Sequence, residues 1–147
     1  MKTILVAIDG SEREQGVLDA AVALARSSGA KLLLFRSVGL PHGLPAPALT
    51  MTPDEVGRFL EDEARRALEA RASELGVDLV AGICVVIGTA WQSILRAATQ
   101  ADAELIVIGS HGYSGIDHLL GTTAAKVVNH ADRSVLVVRT ARARGSW

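Results

Sequence analysis

The residues best suited to chemistry lie in the run Gly109-Ser110-His111-Gly112-Tyr113-Ser114-Gly115, with a second small-residue cluster at Gly121-Thr122-Thr123. The first run directly follows the aliphatic stretch Leu105-Ile106-Val107-Ile108, and the second opens a segment with helical patterning. A strand ending in glycines, followed by a Gly-Thr-Thr turn into a helix, offers one anion bare backbone N–H donors, hydroxyls and a helix N-terminus together. Phosphate binding is the chemistry such a set serves, and a nucleotide is the leading ligand. The same residues have plainer uses. Gly109 and Gly112 suit turns with positive φ, and Thr122 or Thr123 suits a helix N-cap.

Two familiar phosphate sites are excluded. No Gly-x-x-x-x-Gly-Lys-Ser/Thr run is present, and the first strand is followed by Asp9-Gly10-Ser11-Glu12 without dinucleotide glycine spacing. The glycines follow the fourth strand instead. If the sheet order reverses between the first and fourth strands, a crevice opens at their carboxyl ends. Asp9 and Gly109 then border it, with ribose hydroxyls on the Asp9 carboxylate and phosphates on the glycine loop. Asp9 has an alternative role as a cap for the first helix. No catalytic or metal-binding set emerges: His42, His111, His118 and His130 are scattered without ligand spacing. Cys84 reads as a small buried hydrophobe, Trp91 as core or interface packing, and Lys126 as a solvated side chain.

The elements that must position these residues are legible from aliphatic runs. Strands are predicted at Thr3–Asp9, Lys31–Val38, Asp78–Ile87, Glu104–Gly109 and Ser134–Arg139. A helix is expected over Ser11–Ser28, with Val17, Ala20, Ala21, Leu24 and Ala25 on its apolar stripe and Gly29 as its stop. Thr52 and Pro53 open a second, to about Leu75, with Val56, Leu60, Ala64, Ala67 and Leu68 at helical spacing. Two more are expected at Ala90–Gln100 and Thr122–His130. This alternation implies an α/β fold, a mainly parallel five-stranded sheet with helices on both faces. A composition 49% hydrophobic but only 3% aromatic suits strands buried on both sides. The 147 residues fit one domain, 1–140, with 141–147 as a flexible tail. Between Gly39 and Met51, Pro41, Pro45 and Pro47 mark a long loop at the carboxyl edge of the sheet, read as a flap beside the site or a plain linker.

A net charge of −1 argues against nucleic-acid or membrane-surface partners. No apolar run reaches the ~18 residues of a spanning helix. The opening Met1-Lys2-Thr3 leads straight into a strand without a signal-peptide pattern, and one cysteine permits no internal disulfide. A cytoplasmic location is expected.

The chain resembles the universal stress protein family over nearly its full length. The resemblance rests on three segments in order: Ile4-Leu5-Val6-Ala7-Ile8-Asp9-Gly10-Ser11; Val107-Ile108-Gly109-Ser110-His111-Gly112 with Gly121-Thr122; and Ser134-Val135-Leu136-Val137-Val138-Arg139. It implies a single-domain Rossmann-like fold of the adenine nucleotide alpha hydrolase-like type, with strand order 3-2-1-4-5. It also implies ATP as ligand, possible magnesium, slow hydrolysis at most, a stress-response role and a homodimer joined through the last strand. The implied binding positions are Ala7, Ile8 and Asp9; Ser37 and Val38 beside adenine; and Ile108, Gly109, Ser110, His111, Gly112, Gly121, Thr122 and Thr123 around the phosphates. Two features depart from the family pattern. The spacer Tyr113 to Leu120 is one residue shorter than usual, which bears on the phosphate contacts, and Arg36 stands where a histidine is common. Arg36 is expected to reach phosphate or solvent. Two other functions compete: an adenine-nucleotide hydrolase or transferase, disfavoured by the lack of a paired acid and base, and a dimeric interaction module without nucleotide, disfavoured by the intact glycines.

Overall fold

The strand sequences lack the polar alternation of a half-solvated sheet, so both of their faces must be covered. The computed structural model describes residues 1–39, 51–110 and 120–139. Its elements run β1 (Thr3–Ala7), α1 (Glu14–Ser28), β2 (Lys31–Val38), α2 (Pro53–Leu75), β3 (Val80–Ile87), α3 (Ala90–Gln100), β4 (Leu105–Gly109), α4 (Thr122–His130) and β5 (Ser134–Val138). All neighbouring strands pair in parallel, in the order β3-β2-β1-β4-β5. The expected fold class and strand order are therefore those observed.

Alternate residues of each strand feed two separate cores. Ile4 and Val6 of β1, Leu32 and Leu34 of β2, and Leu105 and Val107 of β4 pack with Val17, Leu18, Ala21 and Ala25 of α1 and Ala64 and Leu68 of α2. On the other face Leu5, Phe35, Ile106 and Ile108 pack with Ile94, Ala97 and Ala98 of α3 and Ala124 and Val127 of α4. The alanines let helices approach the sheet closely, which a chain poor in aromatics requires. Leu18 is buried outside the predicted stripe of α1, whereas Ala67 of the predicted α2 stripe is exposed.

Several boundaries differ from expectation, each for a local reason. β1 ends at Ala7, and α1 starts at Glu14 rather than Ser11, because residues 9–14 form a corner of their own. There the Asp9 Oδ1 accepts the Ser11 N–H (2.9 Å), the Ser11 Oγ accepts the Arg13 N–H (3.2 Å), and the Ser11 carbonyl accepts the Glu14 N–H (3.2 Å). Asp9 thus closes an Asx turn and does not cap the helix. β3 begins at Val80, β4 at Leu105, and β5 ends at Val138. The start of α2 is as predicted: Thr52 and Glu55 form a reciprocal capping box behind Pro53. The long loop's Pro41, Pro45 and Pro47 and the tail 141–147 lie outside the described residues.

One arginine joins the carboxyl end of α3 to the entry of β5. Arg133 Nη1 donates to the Ala98 carbonyl (2.9 Å) and the Ala103 carbonyl (2.7 Å), Nη2 to Thr99 Oγ1 (3.2 Å), and Nε to Asp132 Oδ1 (2.9 Å). The guanidinium thereby adds a second donor to the Ala98 carbonyl, which already accepts the Ala103 N–H (2.9 Å), and gives the Ala103 carbonyl of the α3–β4 connection a donor. Replacing it removes these charge-assisted bonds and leaves the Ala103 carbonyl without its guanidinium donor, so Arg133→Ala is expected to lower unfolding free energy by about 1.5–3 kcal/mol. Urea denaturation followed by circular dichroism measures this.

Candidate functional site

The chain runs from β1 toward β2 and β3 on one side, then crosses back to β4 and β5 on the other. Right-handed crossovers place α1 and α2 on one face and α3 and α4 on the opposite face. The strand order therefore reverses between β1 and β4, and in open α/β sheets ligands bind at the carboxyl ends beside such a reversal. The sequence-predicted positions fall at this edge. Ala7 and Ile8 close the end of β1, Ser37 and Val38 end β2, and Ile108 and Gly109 end β4. The ends are tied together: Ile8 N–H donates to the Phe35 carbonyl (2.8 Å), and Gly88 N–H to the Val38 carbonyl (3.1 Å). Asp9 is exposed just beyond β1, with one carboxylate oxygen in its turn.

The glycine loop leaves and re-enters at one place. Ser110 is buried, its N–H donates to the Val138 carbonyl (3.0 Å), and its own carbonyl accepts the Gly121 N–H (2.8 Å). The end of β4 and the start of α4 are therefore hydrogen-bonded to each other. His111 and Gly112 lie outside the described residues. The N-cap of α4 is Gly121, not Thr122 or Thr123, and no side chain caps it. Thr122 is exposed and Thr123 half-buried in the first turn. Among the described residues no side chain caps that turn's N–H groups, which helical geometry leaves without carbonyl acceptors. Together with the helix dipole they suit an anion.

Gly109 has a different reason from the one expected. It is the last residue of β4, outside the left-handed region, and a Cβ there would lie 3.1 Å from Val17 Cγ2 of α1. It lets α1 lie close to the strand end. Gly10 does carry a positive φ, +77°. Across it lies Arg36, so the guanidinium sits against the β1–α1 corner, not simply in solvent. Glu14, in the first turn of α1, meets Arg71 (3.6 Å). Burial pushes the Glu14 carboxyl above its ordinary value, and Asp9 adds to this, while Arg71 and Arg36 pull it down. Gly10 and Glu14 had no motif to announce them. Only a turn glycine followed by an acid at the helix start hinted at a built corner.

The remaining candidates are structural. Trp91 packs at the edge of the α3/α4 core, with the His130 ring 4.7 Å away and Lys126 Nζ 5.7 Å from its centroid. This contact gives Lys126 a cation–π partner. Cys84 is half-buried, and burial pushes its thiol up, away from thiolate reactivity. Among the described residues no three metal-ligating side chains gather, and no helix is long and apolar enough to cross a membrane.

A model of the Universal stress protein family matches residues 1–139. The chain belongs to the universal stress protein family. A universal stress protein of Thermus aquaticus is 34% identical, with 94% of this chain and 98% of that one covered. Among solved structures, the universal stress protein UspA from Lactobacillus plantarum superposes with a TM-score of 0.77 at 26% identity, covering 94% of this chain and 97% of that one. A universal stress protein solved in complex with cAMP matches at 26% identity and TM-score 0.67, covering 95% and 98%. The Archaeoglobus fulgidus universal stress protein in complex with dAMP matches at 25% and 0.62, covering 94% and 98%.

The close approach at Gly109 makes it a poor place to test ligand contacts alone. Gly109→Val drives a branched side chain against Val17 and is expected to cost about 1–3 kcal/mol of stability before any ligand is added. Thermal denaturation of the ligand-free variant checks this, and an unchanged melting temperature contradicts the packing account.

Proposed function

We propose that this universal stress protein binds ATP in the crevice between the carboxyl ends of β1 and β4 and acts as a nucleotide-responsive regulator in stress response, with slow hydrolysis at most. The observation that carries this reading is the Gly121 N–H to Ser110 carbonyl bond. It holds the start of α4 at the end of β4, the strand beside the one that Asp9 follows. The phosphates then meet Gly109, Ser110, Gly121, Thr122 and Thr123, the ribose meets Asp9, and the base lies along Ala7, Ile8, Ser37 and Val38. His111, Gly112 and Ile108 complete the set on the strength of the family resemblance. The relatives solved with cAMP and dAMP support an adenine nucleotide as the ligand class. A magnesium ion in this reading is carried mainly by the triphosphate, as that ion commonly is. The cytoplasm is the proposed location, with no nucleic-acid or membrane partner.

Asp9→Ala is expected to weaken adenosine and ATP alike, because its carboxylate serves the ribose. A lost charge-assisted hydrogen bond of ~1.5–3 kcal/mol corresponds to about 10–100-fold in affinity. Isothermal titration calorimetry with both ligands measures it. Equal affinity in parent and variant would confine Asp9 to its turn with Ser11.

The same reading includes a homodimer through the last strand, Ser134 to Arg139. Among the described residues β5 is an edge strand, with β4 as its one neighbour. The Val138 carbonyl faces β4, where it accepts the Ser110 N–H. Alternation then directs the Val135 and Val137 N–H groups outward, to an edge that invites pairing. Two-fold pairing closes that edge. Val137→Pro removes an outward donor while sparing the β4 ladder, so light scattering is expected to show a folded monomer where the parent is a dimer. A monomeric parent, or a folded and fully dimeric variant, contradicts it.

A further inference from the structure

Resting on the nucleotide reading above, we infer that Arg36 is a positioning residue for Asp9, holding the β1–α1 corner through the backbone of Gly10. A Cβ built on Gly10 would lie 2.9 Å from Arg36 Nη2, 3.0 Å from Cζ and 3.1 Å from Nη1. Such nearly equal distances mean that the plane of the guanidinium faces Gly10 rather than pointing an edge at it. Only glycine leaves room for this contact, and only glycine adopts the +77° φ without strain.

Gly10 is the central residue of the turn that Asp9 Oδ1 closes on the Ser11 N–H. A side chain lying across Gly10 therefore restrains the one turn that sets where the Asp9 carboxylate points. One oxygen stays with Ser11 and the other is left for a ligand. No ion pair joins the two described residues Arg36 and Asp9, so the hold runs through the backbone. The guanidinium also acts electrostatically on Glu14, at the start of α1. Arg36 thus spans the strand end, the turn and the first turn of the helix. Its planar, rigid fork suits this role, and a lysine ammonium cannot reproduce it.

The test uses Arg36→Met and Arg36→Lys in the full chain, with urea denaturation as the folding control. In the ligand-free protein, amide hydrogen exchange at Ser11 reports directly on its bond to Asp9. Exchange is expected to quicken about 2–10-fold in both variants, as loss of one restraining contact implies. Adenosine affinity should fall in both, and the loss should vanish when either substitution is made in an Asp9→Ala background. Unchanged Ser11 exchange overturns the inference. So does a loss confined to ATP with adenosine spared, which would make Arg36 a direct phosphate contact. Full additivity with Asp9→Ala overturns it as well. A parent that binds neither adenosine nor ATP refutes the nucleotide reading instead, and Ser11 exchange then decides the role of Arg36 by itself.

Discussion

The handedness of β-α-β crossovers is the constraint on which the rest of this structure depends. A parallel strand pair closes almost only with a right-handed connection. Once the chain adds β2 and β3 on one side of β1 and β4 and β5 on the other, its helices must divide between the faces. Two cores follow, one under α1 and α2 and one under α3 and α4. The open carboxyl edge between β1 and β4 is the geometric remainder of that division, and no dedicated residue builds it. What individual residues do is furnish that edge, with an acid on one side and a helix start on the other.

The furnishing depends on a few short bonds between backbone groups. The Ser110 carbonyl receives Gly121, and the Ser110 N–H reaches Val138 on β5. The proposed phosphate site is thereby wired to the edge strand through which we propose the protein pairs with a second copy. Arg133 performs a similar service at the opposite end of the sheet, tying the end of α3 to the start of β5. Both devices join polar groups of neighbouring elements near their ends, the first linking β4 to α4 and β5 and the second linking α3 to β5.

The strand order came only from the family resemblance, whereas the strands and the helix limits set by Thr52, Pro53 and Gly29 were readable from the chain. They follow from local propensity and from strands too apolar to face water. Asp9 and the glycine clusters were readable as a candidate site because an acid, glycines and hydroxyls together at strand ends suit a nucleotide, although each also has a plainer use. The purpose of Gly109 was not, since a turn glycine and a packing glycine look alike until Val17 of α1 is seen against it. Arg36 looked like a phosphate or solvent side chain because nothing local marks Gly10 as its seat, 26 residues earlier in the chain. The start of α1 was misplaced by three residues because Asp9 and Ser11 form turn bonds that compete with helix initiation.

The central claim is that an adenine nucleotide sits between Asp9 and the start of α4. Two-dimensional NMR of the backbone amides during an ATP titration tests it most directly. The account predicts saturable shifts at Ser110, Gly121, Thr122 and Thr123 together with Asp9, Ser37 and Val38, while the far ends of α3 and β5 stay in place. Saturable shifts that spare both Asp9 and Gly121–Thr123, or no shifts at millimolar ATP, would contradict it.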